Sequence, residues 1–317
     1  MDWTFDATEV QWMTERLTHF WDRRLVGIAP IGFPAYGRVF HPAYAEDGTP
    51  VRWATVAAQH DLPMTATSAF DQLLLPHHLP PGRDAWRGNP PRPGTLDTPQ
   101  AEHLIEILRC YTKTPDAITF ALWDGLGWDG AVRVRLGHPP EPVPDPIPPT
   151  VRQGPRMRIP GRDYLVYRGA VEDALHWIPT HHQTPHYWWP QDHAWAVAGD
   201  VDLPWSIVAG AADLISQLAT DPILEVLPIA VDAVMDPEPA WVTAAIAQAV
   251  DDLLHHGTAA IETVRGRAVF RLDPSRCWLD SGFGSRTRLL PESPSRPLVD
   301  QLRSAIHRGI VAQLNLY

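Results

Sequence analysis

The chain is poor in cysteine, nearly devoid of lysine and without any long apolar run. Its two cysteines, Cys110 and Cys277, are too few for a disulfide framework or a four-thiolate zinc site, and both read as buried. Lys113 is the lone lysine among 26 basic residues, a bias that GC-rich coding produces. No stretch of 18 apolar residues occurs, so no membrane span is expected. Met1-Asp2-Trp3-Thr4-Phe5-Asp6 is acidic and lacks the basic and apolar regions of a signal peptide, which makes a cytoplasmic location the expectation. From Gly169 to Val264 there is neither Lys nor Arg, although seven histidines lie there. Such a stretch cannot neutralise phosphates, and nucleic acid is not expected as a partner. Walker loops, Gly-x-Ser-x-Gly elbows and kinase signatures are all missing.

What is present can build a core: 44% of the 317 residues are hydrophobic and 20% charged. Proline, at 34 residues, is about twice as frequent as usual. Val10, Met13, Leu17, Phe20 and Trp21 mark one apolar stripe of a helix over 8–25, capped by Asp6 or Thr8. Short strands are expected around 37–40 and 51–57, then a long loop over 76–99. Thr98-Pro99 opens a helix to Cys110. Ile118–Trp123 and Ala131–Leu136 read as a hairpin around two Asp-Gly turns. Seven of the eleven residues 139–149 are proline, an extended segment that is either a linker or a surface loop within one sheet. Strands follow at 164–168, 195–198, 224–229 and 264–272, and helices at 211–219, from 236 to about 256, and from 297. The expected class is α+β, with a mixed or antiparallel sheet and flanking helices. The expected division is an N-terminal lobe (1–138), a Pro-rich linker or loop (139–155) and a C-terminal lobe (156–317), the two lobes packed together.

The densest chemistry is His176, His181, His182, His186 and His193, interleaved with Trp177, Tyr187, Trp188, Trp189 and Trp195. Neutral imidazoles suit zinc, and Asp192 lies nearby. Pro179, Pro185 and Pro190 prevent one helix from presenting these histidines in register. Asp200 and Asp202 form an Asp-x-Asp at a strand end, a pattern that suits magnesium or manganese. The candidate metal ligands are thus His182, His186, Asp192, His193, Asp200 and Asp202. Tryptophan and tyrosine are also enriched where proteins bind partners, so Trp188, Trp189 and Trp195 are candidate binding residues, with Arg38 and His41 as possible pocket lining. Ser281–Arg288 is a weaker candidate anion cradle.

Four segments carry a resemblance: Gly37–Ala43 (GRVFHPA), Val51–Ala54 (VRWA), Trp189–Trp195 (WPQDHAW) and Ser295–Asp300 (SRPLVD). In these the chain resembles a family of uncharacterised proteins of GC-rich actinobacteria without an assigned activity. The resemblance implies a bacterial cytosolic protein whose halves belong together; it brings no catalytic residue and no cofactor. The leading expectation is a non-catalytic accessory or immunity-like protein that engages a protein partner or small ligand through an aromatic, acidic surface. With a net charge of −11, a basic partner fits better than DNA or an anionic membrane. No cofactor belongs to that reading. The alternative is a metal-dependent hydrolase or transferase (Zn or Mg/Mn) using the histidine loop with Asp200 and Asp202. A third reading leaves the arginine-rich C-terminal segment to self-assembly as a homo-oligomer.

Overall fold

The computed structural model describes residues 1–18, 24–73, 86–135, 139–235, 240–263, 266–275, 278–280, 286–289 and 297–314. The chain forms two compact units: Met1–Trp53 with Thr65–Thr67 and Gly88–Met235, and Ala54–Met64 with Ser68–Arg87 and Asp236–Tyr317. The class is α+β, and the sheets are antiparallel. Among the described residues no helix is long and apolar enough to cross a membrane.

The first unit is built on eight strands: β1 (Ala35–Phe40), β2 (Ile118–Trp123), β3 (Met157–Ile159), β4 (Arg162–Gly169), β5 (Tyr187–Pro190), β6 (Ala196–Gly199), β7 (Trp205–Gly210) and β8 (Glu225–Pro228). Their order across the sheet is β8-β1-β7-β6-β5-β2-β4-β3. Strands from before and after residues 139–155 pair directly, Phe120 opposite both Tyr167 and Trp188. Of the two readings of 139–155 the surface loop holds, since the stretch lies within one unit, and the lobe division at 138/156 is corrected. Ile147 buries itself in the core, and Asp145 receives two hydrogen bonds from Arg152, which pins the loop.

Side-chain alternation sorts the sheet into two faces. Val39, Val208, Val197, Trp188, Phe120 and Tyr167 share one face through the strand register, and they belong to one core cluster with Leu104, Leu108, Leu214 and Leu218. Those leucines come from helices α2 (Thr98–Cys110) and α3 (Ala212–Ala219). Close approach here requires Gly37: a Cβ on it would stand 3.0 Å from Val226 Cγ1 and 3.4 Å from Ile215 Cγ2. Helix α1 (Ala7–Thr14) is capped by the Asp6 carboxylate, which accepts from the Thr8 and Glu9 amides, and it buries Val10 and Met13. The helix is shorter than the apolar spacing predicted, and Phe20 and Trp21 lie outside the described residues.

Several local expectations change. Residues 53–59 are helix rather than strand. Val132–Arg133 pairs with Glu141–Pro142 instead of with β2, and Val132 and Val134 are exposed. Tyr187–Pro190, expected as a loop, is a fully buried strand. Cys110 is exposed, not buried; Cys277 and residues 281–285 of the anion-cradle candidate lie outside the described residues. The second unit carries a four-stranded meander, Thr258–Thr263, Gly266–Leu272, Trp278–Asp280 and Arg286–Arg288. Helices Ala240–His256 and Leu298–Leu314 accompany it, with Leu253, Phe270, Leu302 and Ile306 in their common core.

Candidate functional site

The residues that the sequence offers as a site fall at opposite ends of the eight-stranded sheet, and most are occupied by structural work. At the end where β1 and β6 finish, His41 donates its backbone N–H to Pro204 O. Its Nδ1 lies 2.9 Å from Arg92 O and its Nε2 3.0 Å from Ser206 Oγ. A carbonyl only accepts, so Nδ1 carries the proton and Nε2 accepts from the serine. Burial pushes the His41 pKa down to about 4. His186, before β5, accepts from the Trp123 amide at Nδ1, and burial lowers its pKa to about 4 as well.

Beside them, Arg162 binds both oxygens of Asp200, at 3.1 and 3.2 Å, and Asp202 Oδ2 at 2.6 Å. Its guanidinium also lies 5.1 Å from the Trp123 ring. The Asp-x-Asp is thus an arginine clamp; its lone pairs face a cation that the chain itself supplies. Arg38 is fully buried, with its guanidinium carbon 4.5–4.7 Å from the Trp205 and Phe40 ring centres and Nη1 on Ala66 O. Packed this way, Arg38 and His41 present no surface to a partner.

The tryptophans are corrected in the same way. Trp188 and Trp195 meet edge to face on the helix-covered side, and Trp195 donates to Leu108 O. Trp189 lies on the other face and donates to Glu9 Oε2 at 3.0 Å. All three are buried: Trp188 and Trp189 sit on β5, a central strand with both faces covered, and Trp195 lies just before β6. They are core residues.

The metal candidates do not converge. Among the described residues no three His, Cys, Asp or Glu side chains stand close enough to hold an ion. His182 is exposed and terminates the short helix Ile178–His181 in left-handed geometry, φ 51°, whereas His186 is buried beyond it. Asp192 accepts from Thr112 Oγ1, Lys113 N and Ala194 N. Burial works against its charge, yet these donors hold its carboxyl below the ordinary range.

His193 leads to a different feature. It has φ 55°, uncommon for a non-glycine residue, and its Nε2 is 2.9 Å from Glu9 Oε2. The ring stacks on Trp12, with centroids 3.9 Å apart and planes 11° from parallel. On the Trp12 ring Arg16 also rests, 4.7 Å from the centroid, while Nη1 donates to Trp12 O. Phe33 meets Trp12 edge to face. Trp12, Arg16, Phe33 and His193 wall a recess of about 350 Å³, completed by residues 31, 32 and 34 and by Ala194 and Ala211. This size lies within the range of roughly 300–1,000 Å³ common for small-molecule sites.

Sequence reasoning missed Arg16, Gly32 and Phe33. One local signal pointed there: Trp12 and Arg16 are four apart within the helix expected over 8–25, the spacing at which side chains meet, and Trp12 lies off the Val10–Met13 stripe. No protein-family model, curated protein or solved structure matches the chain.

Proposed function

We propose that the first unit is a non-catalytic binding module whose small ligand occupies the recess beside Trp12. One observation carries this reading: half-buried aromatic rings and a guanidinium are stacked and hydrogen-bonded around a concavity of about 350 Å³. Such preorganisation lowers the ordering cost of binding. The strained backbone at His193 fits the same picture, since unusual φ/ψ values concentrate at ligand clamps. Of the binding surface expected from the sequence, this reading keeps the small-ligand arm and moves its aromatic residues from 188–195 to Trp12 and Phe33. The metal-dependent alternative gains no geometric support, because Asp200 and Asp202 are neutralised by Arg162.

Ligand-observed NMR with one-ring and two-ring compounds tests the proposal. Binding is expected to the wild type and to be lost in Ala211→Phe, whose side chain fills the recess. Equal binding to both proteins would place the ligand elsewhere and defeat the proposal.

A further inference from the structure

We infer that the ligand of this recess is a planar aromatic monoanion, a ring bearing one carboxylate; the inference rests on the binding reading above. Phe33, Ile31, Pro34, Ala194 and Ala211 give apolar walls, which suit a ring or two rather than a sugar or a bare ion. The polar contribution is uneven. Glu9 Oε2 already accepts from Trp189 and contacts His193, so the acid behind the wall is turned to its own neighbours. Arg16 stands differently. It commits Nη1 to the Trp12 carbonyl, and among the described residues no carboxylate pairs with it. A guanidinium has five donors in a rigid fork, so most of them remain for a ligand.

In a chain of net charge −11, a cation with no carboxylate partner among the described residues is a specific arrangement. Held 4.7 Å from the Trp12 ring centre and by its hydrogen bond to Trp12 O, the guanidinium is positioned before any ligand arrives. Its planarity matches a carboxylate edge-on and an aromatic ring face-on. One cation balances one negative charge. A phosphate dianion would need more than the recess supplies.

The test is calorimetric titration of the full chain at neutral pH with benzoate, with benzamide as its neutral analogue of the same shape, and with inorganic phosphate as competitor. Benzoate is expected to bind one to one and about tenfold or more tighter than benzamide. In Arg16→Gln the two should come within about twofold, and phosphate should not displace benzoate. Benzamide matching benzoate, an unchanged preference in Arg16→Gln, or displacement by phosphate would each overturn the monoanion inference while leaving the recess a binding site. Absence of binding by either ring compound, or full binding to Ala211→Phe, would instead overturn the binding reading itself. Arg16 is half-buried just past the C-terminal end of α1, so its replacement keeps the fold. Circular dichroism of each variant verifies that.

Discussion

The two ends of the eight-stranded sheet use the same kinds of residue to opposite effect. At one end arginine, histidine and acid are matched: Arg162 to Asp200 and Asp202, His41 to Ser206 and Arg92, His186 to the Trp123 amide. At the other, His193 is matched to Glu9 but Arg16 lies on a ring with no carboxylate opposite it among the described residues, and a recess remains. Polar groups that are desolvated must be paired or they cost stability. The first end therefore spends its chemistry on the fold, and the second keeps some for a ligand. Residue type alone does not separate these cases; partner geometry does.

The contrast predicts large stability effects at the matched end and small ones at the recess. Arg38→Ala removes a guanidinium packed among Phe40, Trp205 and Trp53 and leaves a cavity. It should cost about 3–5 kcal/mol in urea denaturation followed by tryptophan fluorescence. A loss below about 1 kcal/mol would show that this end is not the structural one.

Acid comes next in size. His41 and His186 are held neutral by burial, their pKa values lowered to about 4, against roughly 6.5 in the unfolded chain. As pH falls from about 6.5 to about 4, the unfolded state takes up protons that the folded state refuses, and stability falls. Above 6.5 these two groups contribute no slope, and below about 4 their contribution levels off. Lesser charges oppose one another at each ring, Asp97 against Arg38 at His41 and Asp200 against Arg162 at His186, so burial dominates. Urea midpoints measured across this window should fall in the wild type and flatten in the double variant His41→Gln with His186→Gln.

Arg162→Ala strips the cation from Asp200, whose side chain is largely buried, and should cost about 1–3 kcal/mol. If, instead, Arg162→Ala left the fold unharmed and created a site that takes up Mg²⁺ or Mn²⁺, the clamp would be a masked metal site. Smallest of all, Arg16→Gln should change stability by less than about 0.5 kcal/mol while abolishing the preference for an anionic ring.

Much of the fold was legible in the sequence where local signals are strong. The Thr98-Pro99 start and the three-four spacing of Leu104, Ile105 and Leu108 mark a helix to about Cys110, and α2 spans Thr98–Cys110. The strands expected at 118–123 and 164–168 stood out as apolar runs, and the second extends to Arg162–Gly169. Failures had non-local causes. The helix beginning at Trp53 has its first amide held by the Glu225 carboxylate, 172 residues away, which no window can contain. Residues 187–190 lack any alternation because both faces of a central strand are buried, and a proline at the strand's end disguised it further. Of the site, only His193 was a candidate in the sequence, and its neighbour Trp12 was not. The recess draws its walls from 12–16, 31–34, 193–194 and 211, four stretches that only the sheet brings together.

The most direct measurement is the indole N–H resonance of Trp12, identified by its absence in Trp12→Phe and followed as benzoate is added to the ¹⁵N-labelled protein. The account predicts a saturable shift of that resonance, much reduced in Arg16→Gln, with the signals of the buried Trp188 and Trp195 unmoved. A Trp12 signal that stays in place at saturating benzoate would contradict it.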